Sequence, residues 1–112
     1  MDCLFCAIIK GDIPSAKVYE DEYCYVFRDI APQAPVHILL VPKAHVADMM
    51  EAAALPDDVL AHLLRTVSLI AKQEGLKNGY RVISNCGPDA CQSVKHLHFH
   101  ILGGEQMSEK MA

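Results

Sequence analysis

The run SVKHLHFHIL, Ser93 to Leu102, sets His96, His98 and His100 at every second position. A chain of 112 residues with six histidines places half of them in this one stretch. Read as a strand, the run sends the three imidazoles to one side and Leu97, Phe99 and Ile101 to the other, because successive side chains alternate across a strand. Neighbours on one face then stand about 6.6 Å apart. The apolar side belongs to a core, so the histidine side must line a site or face solvent. A solvent-facing row that happens to carry histidine suits one such residue far better than three in alternation.

Working outward, "YRVIS" before the run reads as another strand and "NCGPDACQS" between them as a polar loop. Toward the N-terminus, "LFCAIIK" is a short helical turn closed by Gly11 and Pro14. "KVYED" and "CYVFRD" are short strands joined by an acidic turn, "APQAP" is a proline-bracketed turn, and "VHILLVP" is a buried strand ended by Pro42. The clearest helix follows Pro56. Asp57 and Asp58 sit in its first turn, where the helix dipole favours carboxylates. Leu60, Leu63, Leu64, Val67, Ile70 and Ala71 keep the spacing of one buried face, and Gly75 ends it. Strands outnumber helices and the long helix separates two strand groups, which predicts a single α+β domain over residues 1–112 with a mostly antiparallel sheet.

Bulk properties exclude several classes. A formal charge of −4 with no basic stripe argues against a nucleic-acid binder. The longest apolar runs, "AAAL" and "ILLVP", are far short of the ~20 residues that span a bilayer, and the N-terminus lacks the pattern of a signal peptide. Five cysteines, Cys3, Cys6, Cys24, Cys86 and Cys91, are an odd and scattered set. They make no disulfide framework and suit a reducing cytoplasm.

Two chemistries fit the histidine row. Histidines two apart on a strand bind zinc, and Cys3 and Cys6 form a C-x-x-C that two histidines could complete as a structural site. A redox role for that pair is weaker, since such a motif normally follows a strand and only two residues precede Cys3. Alternatively, a neutral imidazole whose other nitrogen is held as a donor is a nucleophile at neutral pH. Its neighbours could then bind phosphate oxygens and protonate a leaving group. Asn85, Gln92 and Ser93 lie in the adjoining loop, although capping of turns would account for each of them singly.

"QSVKHLHFHIL" resembles the histidine triad signature, three histidines alternating with apolar residues. The likeness extends through "CLFCAIIKGDIPSAKVYEDE", "FRDIAPQAPVHILLVPKAH", "GYRVISN" and "GGEQM", nearly the whole chain. These segments resemble the nucleotide-binding branch of the histidine triad superfamily, in its bacterial type with an N-terminal C-x-x-C. The resemblance implies a sheet of about five strands, one long and one short N-terminal helix, and a homodimer. It implies hydrolysis of purine nucleoside 5′-phosphoramidates at the P–N bond, releasing AMP or GMP through a nucleotidyl-histidine intermediate. A dinucleoside polyphosphate hydrolase, or a nucleotide-binding or partner-binding module with weak turnover, are the alternatives. The "GGEQM" tail weighs against the former.

By the same likeness His98 is the nucleophile. His100 contacts the phosphate and its carbonyl orients the His98 ring, with Ser93 and His37 completing the catalytic set. Asp29 takes the ribose hydroxyls, Asn85 and Gln92 sit at the phosphate, and Phe5, Ile8, Phe27, Ile30 and Leu39 wall the base. Cys3, Cys6, His45 and His96 hold a structural zinc, and no catalytic metal is required. One departure is Cys91, where relatives carry glycine before "QS". A positive φ there, or an N–H given to phosphate, would make a side chain costly.

Overall fold

The computed structural model describes residues 3–110. In chain order its elements are helix α1 (Leu4–Lys10), strands β1 (Lys17–Glu20), β2 (Cys24–Arg28) and β3 (Val36–Pro42), and helices α2 (Met49–Ala52) and α3 (Asp57–Gln73). Strand β4 (Tyr80–Ile83), a 3-10 turn (Pro88–Ala90) and strand β5 (Phe99–Gly103) follow. Among the described residues five strands form one antiparallel sheet in the order β1-β2-β3-β5-β4. The α+β expectation holds.

Alternation along the strands divides the core in two. Val26, Ile38, Leu40 and Ile101 face one way and meet Leu63, Val67 and Ile70 of α3. Tyr25, Phe27, Leu39 and Val41 face the other way and meet Phe5 and Ile8 of α1. β3 is therefore apolar nearly throughout, the mark of a strand covered on both faces. The α1 side, with the smaller cover, is the side on which the histidines lie.

α3 begins after Pro56 with its two aspartates in the first turn and stops in a Schellman turn. Gly75, at φ 70°, donates its N–H to Lys72 O, and Leu76 donates to Ala71 O. The expected buried face needs one correction. Leu64 is 66% exposed, and Thr66 is buried in its stead. The Thr66 hydroxyl is satisfied by donating to His62 O at 2.8 Å, so its burial costs little. α2 lies in a stretch the sequence reading left unassigned. Asp48 caps it, its carboxylate accepting from the N–H groups of Met50 and Glu51.

The last strand also differs from expectation. Hydrogen-bonded pairing begins only at Phe99, so His96 and His98 precede β5 rather than belonging to it. Pro42, where the β3 ladder would continue, has no N–H to give, and its carbonyl accepts from His96 Nε2 at 2.8 Å. The Leu97 N–H goes instead to Val46 O. Side-chain alternation nevertheless survives: Leu97 and Ile101 enter the α3-side core, while the imidazoles turn toward α1.

Candidate active site

His98 is held in one tautomer. Its Nδ1–H donates to the carbonyl of His96 at 2.7 Å, which leaves Nε2 of the neutral ring with a free lone pair. The accepting carbonyl is that of His96, not of His100 as the family likeness implied. Because the chain has left the ladder before Phe99, the His96 C=O is free to take a side chain two residues on. The ring is 4% exposed and stands edge-on to Phe5, centroids 5.0 Å apart. Behind it, Ser84 Oγ donates to the His98 carbonyl.

A chain of bonds fixes His100 in the same way. The backbone N–H of Gln33 donates to His37 Nδ1 at 3.0 Å, so the proton of His37 sits on Nε2. That Nε2–H faces His100 Nδ1 at 2.9 Å, with an Asp29 carboxylate oxygen at 3.4 Å. His100 Nδ1 therefore accepts, and its Nε2–H is left to donate into the site. Burial, with His98 and His37 close by, outweighs the pull of Asp29 and holds His100 down to about 4. Burial likewise lowers His37 against the opposing effect of Asp29. At neutral pH His100 is an uncharged donor beside the His98 ring.

Two cavities meet at His100. The first, about 270 Å³, has Phe5, Ile8, Phe27 and Leu39 as its apolar wall and is lined as well by Asp29, Ile30, Ser93, His98 and His100. It is below the ~300–1,000 Å³ of most ligand pockets, so it would take a small ligand or one end of a larger one. Phe5, Ile8, Phe27 and Leu39 are buried, whereas Ile30 is 99% exposed, an apolar lip rather than core. One Asp29 oxygen accepts the N–H of Ala31 at 2.8 Å, which aims the carboxylate. The second cavity, about 470 Å³, carries Gln33, His37, Asn85, Arg81 and Gln106 around the other side of His100.

Asn85 and Ser93 thus flank His100 from different cavities. Gln92 lines neither of these two cavities. Its Nε2 donates to Ala47 O and Val94 O, and its Oε1 accepts the Gly87 N–H, so the amide clamps the loop from within. Cys91 sits at φ 57°, the one positive φ outside glycine among the described residues. A side chain in that conformation costs roughly 1–2 kcal/mol. Its N–H goes to Pro88 O and its side chain is exposed, so it strains the loop without entering either cavity.

Cys3, Cys6, His45 and His96 converge from α1, the loop after β3 and the segment before β5. Their donor atoms all lie within 4.8 Å of one another, with Cys3 Sγ to His96 Nδ1 at 3.4 Å, Cys6 Sγ to His45 Nδ1 at 3.3 Å and to His96 Nδ1 at 3.6 Å, and the two Nδ1 atoms at 3.1 Å. A tetrahedral zinc with ordinary Zn–S and Zn–N bonds spaces its donors by about 3.3–3.8 Å. His96 Nε2–H, fixed on Pro42 O, presents Nδ1 as a lone pair toward the group. The four residues fit a structural zinc. Phe5 packs against both His96 and His98, so this centre braces the wall of the first cavity.

Sequence reading missed three contributors. Gln33 acts through its backbone and Ser84 through a hydroxyl, neither of which has a motif. Ser15 lines the first cavity from the loop after α1, with nothing in "IPSA" to mark it.

The HIT domain family model matches residues 10–107. The chain is 50% identical over 109 residues to the 14 kDa zinc-binding protein of Brassica juncea, covering 96% of each. It is 49% identical over 107 residues to adenylylsulfatase HINT1 of Arabidopsis thaliana, covering 94% of this chain and 73% of that one. Among solved structures, a histidine triad protein from Clostridium difficile superposes with a TM-score of 0.90 at 46% identity over 98% of this chain and 96% of that one. A HIT family hydrolase from Legionella pneumophila superposes with a TM-score of 0.91 at 42% identity, over 99% of this chain and 100% of that one. The chain belongs to the HIT, or histidine triad, family.

Proposed function

We propose that the protein hydrolyses purine nucleoside 5′-phosphoramidates. One observation carries the reading: the Nδ1–H of His98 is tied to the His96 carbonyl, so that the neutral ring carries its lone pair on Nε2, beside a donor on His100 and against an apolar cavity. In the first step Nε2 attacks the α-phosphorus in line, a P–N bond to the imidazole forms and the P–N bond to the amine breaks. The departing amine takes up a proton from solvent, and the water of the second step gives one back as its oxygen bonds to phosphorus. Water then attacks the nucleotidyl-histidine, restoring His98 and releasing AMP or GMP. The His100 Nε2–H is placed to stabilise the charge that builds on the phosphoryl oxygens, with Asn85 and Ser93 as further donors. Asp29 suits a bidentate hold on the ribose hydroxyls. Positioning and charge stabilisation suffice for this chemistry. Cys3, Cys6, His45 and His96 would hold a zinc with no open position, which supplies rigidity and not a Lewis acid.

AMP release from an adenosine phosphoramidate tests the proposal. Wild type is expected to release AMP, and His98→Ala to lose turnover by at least about a thousandfold, the scale of a covalent-catalysis residue, while still binding AMP. Equal turnover by both proteins would sink the nucleophile. The name of the Arabidopsis relative supports a second substrate of the same first step, adenylyl sulfate, with sulfate leaving in place of an amine. Comparing that substrate and a dinucleoside polyphosphate with the phosphoramidate ranks the leaving groups. AMP binding with no turnover on any of them would leave a binding module.

We also propose a homodimer in a reducing cytoplasm. β4 is a sheet edge and exposes Tyr80 and Val82, and α3 exposes Leu64 and Leu69. None of the five cysteines is in a disulfide, as a reducing compartment would keep them.

A further inference from the structure

The first cavity has a polar end away from the histidines. Tyr25 and Phe27 lie on the α1 face of β2, and Asp29 follows just past the strand end. Same-face neighbours are about 6.6 Å apart, so the series runs from the Asp29 carboxylate, past the Phe27 ring, to the Tyr25 phenol. The Tyr25 and Phe27 ring centroids are 5.8 Å apart, and the Tyr25 and Ser15 hydroxyls meet at 2.8 Å. Ser15 is half-buried and lines the cavity; Tyr25 is buried behind it. The nearby lining from Ile8, Ile13, Pro14 and Phe27 is apolar. A hydroxyl pair in such a wall is the natural partner of a polar group on the ligand.

We propose that the Ser15 hydroxyl, backed by Tyr25, reads the 6-substituent of a purine bound in this cavity, accepting an amino or an oxo group there. The inference rests on the nucleotide reading of the site. With ribose at Asp29, the base points toward Tyr25, and the edge farthest from its glycosidic nitrogen carries the 6-position. Two bonded hydroxyls share two protons, one of which closes their mutual bond. When Tyr25 donates to Ser15, the Ser15 O–H is free to donate to a 6-oxo group. When Ser15 donates to Tyr25, Ser15 Oγ still accepts from a 6-amino group. The exchange needs only rotation about two C–O bonds. Adenine and guanine are both satisfied, and a purine with hydrogen at position 6 leaves the pair without a ligand partner.

The test compares calorimetric affinities of AMP, GMP and the 5′-monophosphate of unsubstituted purine riboside. Wild type is expected to bind AMP and GMP roughly three- to tenfold more tightly than the purine riboside monophosphate, the worth of one neutral hydrogen bond. Ser15→Ala is expected to bring that ratio close to one, and Ser15→Thr, which keeps a hydroxyl, to retain it. A pair that merely ties the loop to the sheet would change stability and weaken the three ligands alike. A wild-type ratio near one, or a ratio unchanged in Ser15→Ala, overturns the inference while AMP binding upholds the nucleotide reading. No AMP binding by wild type overturns both.

Discussion

At the scale of single residues, direction matters more than proximity. Gln33 N–H to His37, and His37 Nε2–H to His100, form a one-way series that ends in a donor on His100. The neutral state of that series has a measurable consequence. His100 is held near 4 in the fold, whereas in the unfolded chain it titrates near 6.5. Between those values the unfolded chain binds a proton that the folded chain refuses, so stability rises with pH across the window and is complete above it. One such group sets a slope of up to about 1.4 kcal/mol per pH unit. Urea unfolding of wild type and His100→Gln at pH 7.5, 6 and 5 is expected to show a shallower fall for the variant. Parallel curves would mean that His100 is free to charge in the fold.

At the scale of elements, one latch holds α3 against the β1–β2 turn. Asp21 accepts from His62 Nε2 at 2.6 Å, from the Tyr19 hydroxyl at 2.8 Å, and from the N–H groups of Tyr23 and Cys24. Burial alone would raise its carboxyl, but these bonds prevail and hold it well below the usual carboxylate range. The same surroundings push the Cys24 thiol up to about 12, chiefly by burial and then by the Asp21 charge, which keeps it a thiol. Asp21→Ala is expected to cost about 3 kcal/mol in urea unfolding, on the scale of one or two hydrogen bonds to a charged group with their donors stranded. A cost below about 0.5 kcal/mol, the level of an ordinary surface change, would show that α3 docks without the latch. This latch was invisible in sequence, because Asp21 and His62 are 41 residues apart and meet only by folding. The elements themselves were largely legible. Period 3.6 marked α3, Pro56 and Gly75 bounded it, and apolar runs marked β2 and β3. α2 escaped although Asp48 and Glu51 carry a capping spacing, since four residues offer no period to read.

At the scale of the whole molecule, the four residues that could hold a metal bring together parts far apart in the chain. Cys3 caps α1 and Cys6 lies within it, His45 follows β3, and His96 precedes β5. Chelation or Cys6→Ser is expected to release about one zinc per chain and to lower Tm by roughly 10 °C, equivalent to about 2 kcal/mol in a domain of this size. Phosphoramidase activity is expected to persist at temperatures where the variant is folded. Loss of turnover by a folded, zinc-free protein would place the metal in the chemistry. The proposed dimer is checked by sedimentation, where Val82→Lys, a charge on the exposed β4 edge, is expected to yield monomer. A wild-type monomer would instead leave Tyr80 and Val82 as plain surface.

The sequence by itself determined the family, the order of the elements apart from α2, and the residues proposed to carry chemistry. Local signals, alternation in "KHLHFHIL" and the helical period after Pro56, suffice for the elements, and the family resemblance supplied the rest, including His45 and His96 as partners of the C-x-x-C. Tertiary structure alone decided how those residues are used. It gave His96 to the metal group through its Nδ1 while its carbonyl fixes His98, and it set His37 behind His100 with a defined proton direction. It withdrew Gln92 into its own loop, turned Ile30 and Leu64 outward, and brought the Ser15 and Tyr25 hydroxyls together at the edge of the cavity. Proton placement and burial depend on which groups from distant segments approach within hydrogen-bond reach, and no periodicity along a chain encodes that.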